Sequence, residues 1–271
     1  MKYKPALPEQ NDNVSHRKPV REFFLILAGL SIAALALFWV LGLAVDLAVD
    51  HMSAQAEARI HRALRVSYPQ HKPHAPQMQA RLERMVDELR ACADLPYPVT
   101  LQLVKAEQPN AGVLPGAHIL VFSGLLDKIE TENALAFVLA HELAHLKNRD
   151  HLRGLGRTLL LLAISITLTG THSDLTQILV PANQLGMARH SQARETAADN
   201  TALDILHCHY GHVGGATEFF EALHRRAGEA PVGLGHYFAS HPELRARIDN
   251  LNRRAEQHAY PIGPTRALAR Q

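Results

Sequence analysis

The longest apolar run in the chain is FFLILAGLSIAALALFWVLGLAV, Phe23 to Val45, which no charged residue interrupts. As a helix it is long enough to cross a hydrocarbon core of about 30 Å, so it predicts one transmembrane span. The tail before it, 1–22, is polar, and its Lys2, Lys4, Arg17, Lys18 and Arg21 outnumber Glu9, Asp12 and Glu22, whereas Asp46 and Asp50 follow the run. The positive-inside rule then places the N-terminus in the cytoplasm and the remainder outside it. A cleaved signal peptide is the competing reading. The tail is long, the run exceeds an ordinary h-region, and the nearest A-x-A, Ala54-Gln55-Ala56, lies well past it, so an uncleaved anchor is expected.

Beyond the anchor the pattern changes period several times. His51 to Val66 has helical character and is broken by Tyr68-Pro69 to Ala75-Pro76, which makes 46–95 a helical stalk with a hinge. Within it, Met78, Leu82, Met85 and Leu89 recur at helical spacing and read as a packing stripe. Val99–Val104 and His118–Phe122 are short and rich in β-branched residues, with Pro109-Asn110 and Pro115-Gly116 between them, and predict a small antiparallel sheet. Asn110, Ala111, Gly112 and Val113 read either as an exposed edge strand, able to take an extended peptide by main-chain hydrogen bonds, or as an ordinary connecting strand. Ala134 to Ala140 is an apolar helix. Leu155–Thr169 is apolar without a charge only from Thr158 onward, too short for a span, and predicts a buried or membrane-grazing helix. Leu175–Cys208 predicts one or two helices, with His207, Cys208, His209 and His212 as a polar helix end rather than a metal site. The fold class is α+β, mostly helical: a catalytic domain at 96–260, a tail at 261–271, and one transmembrane helix in front.

Composition narrows the function. A chain of 271 residues, 47% hydrophobic and 20% charged, can bury one sizeable core beside a membrane segment. Its net charge of +2, with no basic stripe interleaved with aromatics, excludes nucleic acid as the expected partner. Cys92 and Cys208 form no CxxC pair and no disulfide framework, and so leave the redox compartment open.

The chemistry sits in His141-Glu142-Leu143-Ala144-His145. Residues four apart share a helix face, so His141 and His145 can direct two imidazoles at one ion with Glu142 beside them. Two neutral imidazoles leave zinc acidic enough to bring bound water to a pKa of roughly 7, and the neighbouring carboxylate can then act as general base. With 18 histidines in the chain, a chance H-E-x-x-H must be weighed. Two histidines and a glutamate on an otherwise apolar helix would be costly unless something satisfied them, which favours one bound zinc ion.

A catalytic zinc usually keeps three protein ligands, and two candidates compete for the third position. His151 extends the motif to HExxHxxNxxH, close to the metzincin pattern, with Met187 available as a Met-turn; Asn148 then stands where a glycine would permit positive φ. Glu195, in Arg194-Glu195-Thr196-Ala197-Ala198-Asp199, shares a helix face with Asp199, so one carboxylate can bind the ion while the other holds a ligating histidine.

HELAHLKNRD, ETAAD, and Ser240-His241-Pro242 followed by Arg247 and Ile248 resemble the M48 family of membrane-associated zinc metalloproteases, which contains the heat-shock protease HtpX, the Ste24 CAAX proteases and BepA-like periplasmic proteases. The likeness runs from about Val99 to Leu251. It implies a zincin-like domain with Glu195 as third ligand, Asp199 supporting a histidine, His241 facing the active site and helping to hold the oxyanion, and Asn110-Ala111 opening the substrate-binding edge strand. Gln192 stands where many members carry arginine, and Gly112 replaces a usual aromatic. A single clear span, where HtpX and Ste24 relatives have several, favours a tethered quality-control protease over CAAX processing. The expected function is therefore a membrane-anchored zinc endopeptidase acting on protein or peptide substrates, misfolded or misassembled envelope proteins foremost. It would be held in the lipid bilayer by its N-terminal helix, with the catalytic domain extracytoplasmic. The alternatives are a tethered chaperone or adaptor with a structural zinc site, and a helical protein whose HELAH is coincidental.

Overall fold

The computed structural model of the chain describes residues 19–65, 75–114, 116–169, 192–226 and 244–269. The chain divides into two units, 1–47 and 48–271. In the first, helix α1 (Pro19–Asp50) begins with proline in its first turn, where the missing N–H has no helical partner to lose. Phe23, Leu35 and Trp39 are among its many exposed apolar side chains, and it is the one helix among the described residues long and apolar enough to cross a membrane. It runs past the apolar stretch because Asp46 and Asp50 do not break a helix. The break comes at 51–53, where Ser53 Oγ accepts from Ala56 N at 3.2 Å and starts α2 (Ala54–Arg65).

The second unit has a core built around one helix. α5 (Glu132–Lys147) follows α3 (Pro76–Ala93), a three-stranded sheet and the short α4 (Ser123–Leu126). Thr131 caps α5, its Oγ1 accepting from Ala134 N at 3.1 Å. Every residue from Asn133 to Leu146 is buried, as its unbroken apolar surround predicts. α5 ends where Asn148 keeps a right-handed helical conformation and Arg149 adopts φ 58°; a new helix, α6 (Asp150–Thr169), starts at once.

α3 is part of this core, with Leu82 and Leu89 fully buried, although the sequence placed it in a stalk. Cys92 on α3 is bonded to Cys208 on α7 (Gln192–Tyr210), a disulfide that the absence of a cysteine framework in the sequence did not suggest. Their separation of 116 residues hid the pair, because spacing does not reveal which helices lie side by side. α7 packs along α5 and beside α3, with Ala198 and Ala202 buried; α8 (Glu218–Arg226) and α9 (Leu244–Gln257) complete the unit. The segment after α9 returns to the start of α5: Ala267 bridges Thr131, and Leu268 N donates to Glu130 O at 2.8 Å.

The sheet is mixed, not antiparallel. Its order is β1 (Thr100–Val104), β3 (His118–Phe122), β2 (Ala111–Leu114). Three strands that alternate in direction, with the last inserted between the first two, must make the outer pair to β1 parallel and the pair to β2 antiparallel, as found. The turn from β2 to β3 uses Gly116 at φ 97° and Ala117 at φ 56°, the left-handed conformations a tight hairpin connection needs. β2 lies at an edge and packs on α5. α6 is not buried along its length, since Leu159, Leu161 and Ile166 are exposed.

Candidate active site

The i,i+4 spacing on α5 brings the His141 and His145 rings into an edge-to-face pair, with Nε2 to Nε2 at 3.0 Å. α7 delivers Glu195 against both: its Oε1 lies 3.3 Å from His145 Nε2 and its Oε2 3.5 Å from His141 Nε2. All three side chains are buried, and one ligand atom from each falls within 4.8 Å of the others. The buried Ala198 on α7 and the buried Ala140 and Ala144 on α5 keep side-chain bulk low where the helices pack.

A second layer of carboxylates orients the imidazoles. His141 Nδ1 is 2.9 Å from Asp199 Oδ1, and His145 Nδ1 is 2.9 Å from Asp150 Oδ2. With Nδ1 donating to its carboxylate, each imidazole turns Nε2 toward the centre, where a cation would take the place of the second proton. Arg247 from α9 donates to both oxygens of Asp199, at 2.8 Å from Nε and 2.7 Å from Nη2, and its Nη1 lies 3.1 Å from Glu195 Oε2. Its guanidinium also stacks on Phe220, 4.3 Å from the ring centroid. Arg194 reaches Asp150 at 3.5 Å.

Burial opposes charge on both histidines, yet the carboxylates win. Hydrogen bonds that His141 donates to Asp199 and Glu195 move it upward, and Asp150 and Glu195, with the nearby Glu142 charge, push His145 up to about 10. Asp199 is held down, because Arg247 and His141 outweigh its desolvation. Glu142, Asp150, Glu195 and Asp199 are thus four buried acids faced by one buried guanidinium among the described residues. Such a site is short of positive charge, and two imidazoles and a carboxylate converging on one point fit a divalent transition ion.

His151 goes elsewhere. The positive φ falls on Arg149 rather than Asn148, which turns Asp150 toward His145 and sends His151 to His61, Nε2 to Nε2 at 2.9 Å. Burial pushes the His151 imidazole down to about 3. His207 stacks on Tyr260, His209 approaches Glu88 and His212 accepts from Gly214 N, so these three face different partners at the end of α7. On the strand side, Asn110 is buried with Oδ1 accepting from Ala111 N at 3.0 Å, and Ala111, Gly112 and Val113 pair with Val121, Leu120 and Ile119 along the sheet edge. His241 and Met187 lie outside the described residues.

The model of Peptidase family M48 matches residues 76–255, about two thirds of the chain, which includes His141, Glu142, His145, Asp150, Glu195, Asp199 and Arg247. The chain belongs to Peptidase family M48. Among its M48 relatives, a Protease HtpX homolog of Salinibacter ruber is 32% identical over 177 residues, covering 59% of this chain and 63% of the relative. A Protease HtpX homolog of Ralstonia pickettii is 31% identical over 224 residues, covering 66% and 75%. Mitochondrial metalloendopeptidase OMA1 of Schizosaccharomyces pombe is 30% identical over 179 residues, covering 64% and 50%. The matched part thus spans between half and three quarters of these relatives. The membership agrees with the resemblance read from HELAH and ETAAD.

Two residues of this site had no role assigned from sequence. Asp150 is the last residue of HELAHLKNRD, where a carboxylate five positions after a ligating histidine is a usable signal. Arg247 was noted only as part of the family resemblance, and the packing of α9 buries it against Asp199.

Proposed function

We propose that the protein is a membrane-anchored zinc endopeptidase, with His141, His145 and Glu195 holding one zinc ion and Glu142 as general base. The observation that carries this is the convergence of those three side chains with each imidazole backed by its own aspartate. When bound, zinc supplies Lewis-acid chemistry to water and to the scissile carbonyl. The chain's own residues do the rest. Asp199 and Asp150 fix the tautomers of His141 and His145, and Arg247 keeps Asp199 ionised and in place. Glu142, on the same helix turn as His141 and buried beside it, takes the proton from water and later gives it to the leaving amine. His241, before Pro242, is assigned to the oxyanion on resemblance alone.

The substrate is proposed to be an extended stretch of protein adding to the edge of β2 along Asn110–Val113, which reads backbone rather than side chains and suits misfolded or misassembled envelope proteins. An extracytoplasmic domain accounts for both the basic tail before α1 and a disulfide, which persists in oxidising compartments.

The test is hydrolysis of unfolded casein by purified wild type and Glu142→Gln. The amide keeps the shape and the zinc but cannot accept a proton, so turnover falls by roughly two to four orders of magnitude. A zinc-loaded wild type with no cleavage would favour the adaptor reading instead.

A further inference from the structure

A second buried cluster has a donor set like that of the candidate active site. Glu57 and His61 lie one turn apart on α2, and His151 is the second residue of α6. They are 4%, 2% and 5% exposed, where a surface group of histidines would be solvated. His61 Nε2 faces His151 Nε2 at 2.9 Å, and Glu57 Oε1 is 4.0 Å from His61 Nε2. At the active site the two imidazole nitrogens are 3.0 Å apart. One ligand atom from each of Glu57, His61 and His151 falls within 4.8 Å of the other two, as it does for His141, His145 and Glu195. Both clusters use an i,i+4 pair on one helix and a third residue from another.

We propose that Glu57, His61 and His151 form a second site for a divalent transition ion of the zinc type. Imidazole and carboxylate are the ligands such ions take. The carboxylate is oriented as a ligand's would be: Tyr97 Oη donates to Glu57 Oε1 at 2.9 Å and Arg149 Nε donates to Oε2 at 2.8 Å. Tyr97 also packs edge-on against the His61 ring, 4.4 Å between centroids. Arg149 cancels much of the Glu57 charge, whereas the active-site group has four carboxylates and one buried guanidinium, so the second ion binds more weakly than the first. Occupancy would clamp α2 to the start of α6, whose first residue, Asp150, holds His145. The proposal rests on the cluster's own geometry and stands whether or not the protein is a protease.

Without an ion, the same contact is a hydrogen bond between two neutral imidazoles, and metal counting separates the two. The full chain, purified in detergent and stripped with a chelator, is titrated with zinc alone. Wild type takes up two equivalents of unequal affinity. His61→Gln and His151→Gln each lose the weaker equivalent and keep the tighter one, whose retention shows that the variants are folded. Glu195→Ala does the reverse, so failure here is distinguishable from failure of the active-site reading. Saturation of wild type at one equivalent overturns the proposal, and so does a second equivalent that survives in both His61→Gln and His151→Gln. Should those variants not fold, wild-type and Glu195→Ala stoichiometry decide it: two and one support the second site, one and none overturn it.

Discussion

At the scale of single residues, the site is defined by which nitrogen of each histidine faces the centre. Asp199 and Asp150 both set this, yet only Asp199 has its own guanidinium partner buried with it, while Asp150 sits under the more exposed Arg194 and Arg153. Replacing either by asparagine keeps the shape but weakens the hold on the imidazole, and zinc affinity is expected to fall by about 10 to 100-fold, read by chelator competition. Unchanged affinity in both variants would mean that the carboxylates are bystanders. The shared face of His141 and His145, and that of Glu195 and Asp199, was legible from helical spacing, whereas the choice of Glu195 over His151 came from the family resemblance, and the structure brings Glu195 against both histidines. Asp150 was overlooked although it closes HELAHLKNRD, because it lies past the end of the helix that carries His145, and helical periodicity does not extend across the turn at Arg149, φ 58°. Beyond the same turn His151 pairs with His61, so a histidine that fits the metzincin spacing lies apart from the group of His141, His145 and Glu195.

At the scale of elements, α1, α3 and α5 were foreseen from hydrophobic pattern and from the breaks around them. The mixed sheet was not, because strand direction depends on where the chain crosses rather than on the residues in each strand. The Cys92–Cys208 bond joins α3 to α7, which carries Glu195 and Asp199. Closing a loop of 116 residues contributes about 4 to 5 kcal/mol by chain entropy. Reduction, or Cys92→Ser with Cys208→Ser, should therefore lower the midpoint of thermal unfolding markedly, with zinc loading measured alongside. A midpoint unmoved by reduction would show that packing of α3 on α7 holds these helices by itself.

At the scale of the whole molecule, the apolar α1 and the basic residues before it predict how the chain sits in a membrane. A reporter active only outside the cytoplasm should work when fused after Gln271 and fail when placed before Phe23, and the reverse pattern would overturn the orientation. The central claim is that one zinc ion is held by His141, His145 and Glu195. It is tested most directly by the tightly bound zinc in purified Glu195→Ala beside His151→Ala. Glu195→Ala is expected to lose the tight ion and His151→Ala to keep it. A full equivalent of tight zinc retained by Glu195→Ala, with its loss in His151→Ala, would make His151 the third ligand instead.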